Sequence, residues 1–421
     1  MKIPERRTEP CTALEEVRDF YERLPYPAPL TSLDDHRALY ANPARRRALF
    51  HRMWPTGRPG DHQEILVAGC GTSQAARYAL REPSARVTAI DISETSLLHT
   101  RNLQRKYALK NLELHQLALE NVEELGRTFD LIVCTGVLHH LSDPDRGLRV
   151  LHDVLSRKGA MQLMVYATYG RAGIYMLQEY CRMLRIGTSA NDLLGLGILL
   201  EALPRDHPMA DLLSRAKDFR RLEAIADALL HPLDRAFTVP ELYAWLDRAG
   251  MSFGRWIEQA PYLPQCGALA NTCHAERLSA LSEPAQHAAA ELFRGTMTQH
   301  HLIAYRSDCP SAGQAIHFTG EQWRDYVPIR LPWTLCIRER VPAGSVAVLL
   351  NPAHNHRDLV LPINWAQDHL FGQIDGQRTL GEIVTACGTS KGARRALQFF
   401  EQLWRYDQIV FDASCTVATI P

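Results

Sequence analysis

The sequence lacks an excess of either charge: 47 Lys and Arg face 47 Asp and Glu, for a formal net charge of +0. With no basic field and no block of like charge, no nucleic-acid partner is expected. A long hydrophobic run is missing too. The longest, Leu193 to Leu203, contains Glu201 and falls far short of the roughly 20 apolar residues that span a bilayer, so no membrane partner is expected. The opening MKIPERRTEP has no apolar stretch of the kind that directs secretion. None of the ten cysteines forms a Cys-x-x-Cys pair, and scattered thiols fit a reducing, cytoplasmic location. Cys266 and Cys273-His274 lack zinc spacing, and His354 and His356 have no third ligand nearby. No metal is expected, and the His354 segment reads as a solvated turn between strands. Internal repeats and low-complexity tracts are also absent.

What is present is apolar material for real cores, at 46% of 421 residues, enough for two or three domains. Residues 1–60 read as an N-terminal helical lid with an aromatic-proline elbow at Tyr21 to Pro27. From 64 onward short apolar runs alternate with helical stretches. EILVAG, RVTAID, LELHQLAL, FDLIVCTGVL and MQLMVYA are predicted strands, with SQAARYALRE, SLLHTRNLQRKYAL and DRGLRVLHDVLSR as helices between them. That alternation signals crossover units on a parallel sheet. A helical cap is inserted at about 170–235, too long for a connection. TVPELYAWLDRAG carries a Thr238 cap and a Gly250 stop. SFGRWIE and HHLIAYR are then expected to pair antiparallel at the sheet edge. The expected fold class is α/β: a Rossmann-like, mostly parallel sheet with helices on both faces over 61–306, followed by a small α+β domain over 307–421. In the latter, LFGQIDGQRTLGEIV, ARRALQFFEQLWRYDQ and IVFDA read as helix, helix and strand, suiting a small winged-helix unit at 370–412.

The sharpest local signal is the run Ile65 to Thr72, in which Gly69-Cys70-Gly71 sits between a strand and a helix. Glycine permits a tight turn and close approach of a ligand to the main chain. The helix that follows offers unpaired amides and a positive dipole end. Asp91 ends the next strand, twenty residues after Gly71. There a carboxylate can accept hydrogen bonds from both ribose hydroxyls, or it can cap the helix that follows, a task open to Ser93 as well.

VAGCGT, AID at 89–91 and the string Phe129 to Leu141, with its VLHHL ending, resemble the class I (Rossmann-like) S-adenosylmethionine-dependent methyltransferases. The resemblance implies S-adenosylmethionine as cofactor. It assigns to that cofactor Ala68, Gly69, Cys70, Gly71, Asp91, Ile92, Leu119 and Thr135. Tyr26 in the proline elbow is a candidate to fold over it as a lid, with a simple packing role as the competing reading. The sequence departs from the family at Val67 and near Ala118, where an acid is usual, and at Ser73, where a third glycine is usual. Glu120 or backbone carbonyls are the candidates to replace those contacts.

For the methyl acceptor, His139 and His140 are candidate bases, since a histidine near its reference pKa of about 6.5 titrates close to neutral pH. Tyr169 and Arg171 are candidates to line the acceptor pocket, Arg171 by clamping an acidic group. A structural role, tying cap to sheet, stands beside that reading. The leading expectation is methylation of a small molecule at oxygen, nitrogen or carbon. Residues 370–412 also resemble PqqD-like winged-helix units, which implies peptide docking as one alternative. The departures at Val67, Ser73 and Ala118 leave a non-catalytic cofactor-binding protein as another.

Overall fold

Apolar runs that are covered on both faces become the strands of a central sheet. In this computed structural model, which describes residues 12–57, 63–215, 217–309, 316–388 and 392–415, eight strands build it. They are β1 (Glu64–Ala68), β2 (Arg86–Asp91), β3 (Leu112–Gln116), β4 (Phe129–Thr135), β5 (Leu155–Ala167), β6 (Ala236–Phe237), β7 (Met251–Trp256) and β8 (Gln299–Arg306). Their order is β3-β2-β1-β4-β5-β8-β7, with β6 paired to the end of β5. All pairs from β3 through β5 are parallel. β8 runs antiparallel to both β5 and β7, so the expected edge pairing is found. Of the residues expected to form a lid, 1–11 and 58–60 lie outside the described residues.

Alternation sorts each strand between two cores. Ile65, Val67, Val87, Ala89 and Val133 pack on one face with Ala75, Ala76, Leu97 and Leu103. Those four residues belong to α4 (Gln74–Arg81) and α5 (Glu94–Tyr107). Leu66, Ala68, Ile90, Ile132 and Cys134 face the other way. There they meet Leu148 and Leu151 of α6 (Pro144–Asp153) and Leu242 and Trp245 of α11 (Val239–Arg248). Coverage of both faces suits a parallel sheet.

Ahead of the sheet come α1 (Ala13–Arg23), α2 (Asp34–Ala41) and α3 (Pro43–Met53). A capping box between Thr12 and Glu15 starts α1. The cap consists of α7 (Ala172–Leu184), α8 (Ala190–Glu201), α9 (Ala210–Arg215) and α10 (Leu222–Leu230). Its core joins Leu177, Leu196, Ile225 and Leu229 to Phe20 of α1, so the first helix is part of the cap's packing. Between β7 and β8 lie α12 (Ala275–Ser279) and α13 (Glu283–Arg294). Among the described residues no helix is long and apolar enough to cross a membrane.

The C-terminal region holds β9 (Val327–Arg330), β10 (Leu335–Ile337), β11 (Ala347–Leu350), β12 (Val360–Ile363) and β13 (Ile409–Asp412). They form a β10-β11-β12 meander and a β9–β13 pair. LFGQIDGQRTLGEIV, expected as one helix, is divided between α14 (Trp365–Gly372) and α15 (Leu380–Ala386), and α16 (Ala393–Arg405) follows. The break has a local cause. The Asp375 carboxylate accepts from the amides of Gln377 and Arg378, Gly376 takes a φ of 76°, and Thr379 starts a fresh capping box with Glu382.

His354, expected in a solvated turn, is another correction. Its side chain is buried, with Nε2 3.0 Å from Asp407 Oδ2. Asp407 also accepts from the amides of Gln259 (2.8 Å) and Ala260 (3.0 Å) and from Arg255 (3.2 Å). This carboxylate fastens the C-terminal region to the β7 edge of the sheet. His300 and His301 point to opposite faces, His300 toward Tyr262 and Glu291 and His301 toward Gln162.

Candidate functional site

At the end of β1 the chain turns through Gly69 and Gly71, whose φ angles of 67° and 54° favour glycine. The amides of Gly69 and Cys70 both donate to the Ile90 carbonyl (2.9 and 3.0 Å), tying the turn to the end of β2. A Cβ on Gly69 would lie 2.3 Å from Val137 Cγ2, and one on Gly71 3.3 Å from Pro27 Cδ. A side chain at Gly69 would collide with Val137, and one at Gly71 would crowd Pro27. The Gly71 amide donates to Asp91 Oδ2 at 2.8 Å, and the Ser93 amide to Oδ1 at 2.9 Å. Ser93, not Asp91, caps α5, its hydroxyl accepting from the Ser96 amide at 3.1 Å. That leaves Asp91 a carboxylate with lone pairs to spare. Burial pushes its pKa up to about 6, against the opposing pull of the Ser93 and Gly71 amides.

Turn and carboxylate share one wall of a cavity of about 360 Å³. Of the residues expected to hold a cofactor, Tyr26, Gly69, Cys70, Gly71, Asp91, Ile92, Leu119 and Thr135 line it. Ala68 does not; it is fully buried within the sheet. Glu120 lines the cavity as well, and its Oε2 is buried with no hydrogen-bond partner among the described residues. An unpartnered buried acceptor at this position fits a ligand that brings its own donor. The elbow is held down by the Thr72 hydroxyl, which donates to the Pro27 carbonyl at 2.8 Å. Nearby, the Glu22 carboxylate accepts from the Glu94 and Thr95 amides (2.6 and 3.1 Å), pinning α1 to the start of α5.

The far end of the cavity treats the four expected acceptor residues differently. His140 lines it, and its Nδ1 lies 2.6 Å from the Leu233 carbonyl, which assigns the proton to that nitrogen. Burial lowers its pKa to about 4. His139 does not reach the cavity. It is fully buried, its ring centre lies 3.8 Å from that of Tyr166 with the planes tilted by 34°, and neither ring nitrogen has a partner among the described residues. Arg171 is engaged elsewhere: it pairs with Asp234 at 2.7 Å and lies 3.5 Å over the Tyr166 ring. The guanidinium thus ties cap to sheet and is not free to clamp an acidic substrate. Tyr169 is 41% exposed and lies outside the cavity.

Sequence reasoning missed Asp227. It lies on α10, lines the cavity, and is 4% exposed. Its two oxygens accept from the hydroxyls of Tyr21 (3.0 Å) and Tyr166 (3.1 Å). The signal was a lone acid in the apolar run Ala224 to Leu230. Among the described residues no three His, Cys, Asp or Glu side chains are grouped to hold a metal ion.

Residues 66–161, which hold the turn, Asp91 and Thr135, match the family model of a methyltransferase domain. Those residues are thus similar to a methyltransferase domain. Around that domain the whole architecture is similar to PKMT2 from Rickettsia typhi, solved in complex with AdoHcy. The TM-score is 0.62 at 16% identity, covering 88% of this chain and 75% of that one, which establishes a shared fold. An uncharacterised Synechococcus sp. protein is 32% identical over 262 residues, 60% of this chain and 62% of that protein. A human thiol S-methyltransferase is 30% identical over 130 residues, 29% of this chain and 50% of the human protein. The chain thus spans less than two thirds of either relative. The methyltransferase domain supplies the glycine turn, Asp91 and Thr135, whereas Tyr21, Tyr26 and Asp227 come from outside its matched residues.

Proposed function

We propose that this protein transfers a methyl group from S-adenosylmethionine to a compact acceptor. One observation carries the reading: the bent main chain at 69–71 and the Asp91 carboxylate lie 2.8 Å apart on a single open cavity wall. A nucleoside joined to an amino acid suits that wall. Asp91 and Ile92 would hold the ribose side, Leu119 and Glu120 the base, and the glycine turn and Thr135 the amino-acid end, with Tyr26 over the top. The unpartnered Glu120 Oε2 replaces the acid missing near Ala118. Bound S-adenosylmethionine supplies a methyl already activated by its sulfonium.

The chain's part is then to orient the nucleophile and exclude water. Tyr21, Tyr166, Asp227 and His140 wall the acceptor end, which favours a compact acceptor group over a broad surface. In this reading residues 1–60 form the lid, 61–306 the methyltransferase domain with its cap at about 170–235, and 307–421 an accessory domain.

Calorimetry with S-adenosylhomocysteine tests it. The wild-type chain binds, and Asp91→Ala loses about 1.5–3 kcal/mol, the worth of hydrogen bonds to a charged group. No binding by the wild-type chain, or undiminished binding by Asp91→Ala, sinks the proposal.

A further inference from the structure

We propose that Asp227 binds the hydrogen-bond-donating head group of the methyl acceptor and takes its proton, held for that task by Tyr21 and Tyr166. This rests on the methyl-transfer reading above and narrows the acceptor to one bearing an N–H or O–H.

Three separate parts of the chain converge on this carboxylate. Tyr21 comes from α1, Tyr166 from the end of β5, and Asp227 from the cap helix α10. Buried carboxylates ordinarily find a cation. Asp234, a few residues on, has one in Arg171. Asp227 forms no ion pair with any described residue. Each of its oxygens accepts from one phenol, and the side chain borders the cavity. Two phenols fix its direction and satisfy it in part, and the remaining lone pairs await a donor from the cavity.

The other groups facing it leave that role to Asp227. His231, one turn further along, is held near a pKa of about 3 by burial, and its Nδ1 accepts from the Leu233 amide. The His140 ring centre lies 3.7 Å from that of His231, the two planes tilted, and His140 is likewise neutral. Arg171 lies behind Tyr166, committed to Asp234. Burial raises the Asp227 carboxyl above the usual range, even with both phenols favouring its ionised form. A base so raised is better matched to accept a proton near neutral pH than an ordinary aspartate.

The step balances as follows. The acceptor's nitrogen or oxygen uses a lone pair to bond the methyl carbon. That carbon's bond to sulfur breaks, both electrons staying on sulfur and cancelling its charge. The N–H or O–H proton passes to Asp227 and leaves to water with the product.

The test uses the full chain saturated with S-adenosylhomocysteine and three probes of one shape: benzyl alcohol, benzylamine and benzoate. Ligand-observed NMR should show the alcohol and the amine bound and benzoate not, with donor affinity at least tenfold weaker in Asp227→Asn. Carbon-13 NMR of labelled aspartate should show a carboxyl titrating above the ordinary range of about 3.9, lost in Asp227→Asn. It should move higher in Tyr21→Phe and in Tyr166→Phe, each of which removes a donor to the ionised form; these variants decide the matter if Asp227→Asn does not fold. Benzoate binding as well as benzyl alcohol, no donor probe binding, unchanged donor affinity in Asp227→Asn, or a titration unmoved by either phenylalanine overturns the inference. Failure to bind S-adenosylhomocysteine would instead overturn the methyl-transfer reading.

Discussion

Two carboxylates in this protein are almost equally buried and differently employed. Asp407, 2% exposed, accepts from two backbone amides, Arg255 and His354. Asp227, 4% exposed, has two phenols and an open cavity. The first is saturated and joins two regions of the chain. The second is under-coordinated, as a group must be that is to meet a ligand. Asp91 belongs with the second: two amides hold it, and its remaining lone pairs face the same cavity. Burial alone therefore does not separate a structural acid from a working one. On the roles proposed above, the count of donors already in place does.

The largest expected effect tests the saturated member. Asp407→Ala strands Arg255, His354 and two buried amides, and it should cost about 3–5 kcal/mol of stability in urea unfolding followed by tryptophan fluorescence. The folded fraction should keep its affinity for S-adenosylhomocysteine; stability unchanged from wild type would erase the distinction. Gly69→Ala comes next. The left-handed backbone and the contact with Val137 together should cost about 2–4 kcal/mol, read as a lowered melting temperature and lost ligand binding.

A smaller effect sharpens the cavity side. Asp91 has a folded pKa raised to about 6, so in the ligand-free protein its stability contribution is full below about pH 4 and is lost as pH rises through about 6. Ribose hydroxyls need the ionised form, so S-adenosylhomocysteine affinity should fall below pH 6, by up to roughly tenfold per unit. In Asp91→Asn that slope should vanish; a slope that persists assigns the titration to another group. Smallest is Glu22→Gln, which removes a charge from the start of α5. It should cost about 0.3–1 kcal/mol by thermal unfolding.

The elements legible in the sequence were those whose reasons are local. β1, β2 and β4 are apolar runs buried on both faces, and α11 announced itself through Thr238 and Gly250. β5 was legible only from Met161. Its first residues, Leu155 to Ala160, include Ser, Arg, Lys and Gly; Leu155 pairs with β4, and Ala160 with both β4 and β8, across an irregular stretch that no local pattern announces. The glycine turn and Asp91 were readable because strand ends put them there. Asp227 was not, since its meaning depends on phenols 206 and 61 residues away. Arg171 misled for the same reason: nothing in the local sequence reveals that Asp234 occupies its guanidinium.

The position of β8 carries a consequence for biosynthesis. It is an interior strand, wedged between β5 and β7, yet it is the last strand of the sheet to leave the ribosome. Until residue 306 has emerged, β5 presents an edge covered only at its end by β6, and β7 lacks its partner strand. Such long-range pairing slows folding and leaves the nascent chain prone to strand-edge aggregation. Ribosome-stalled chains ending before Gln299 should accordingly be more sensitive to protease, and more often bound by chaperones, than chains ending after the sheet has closed.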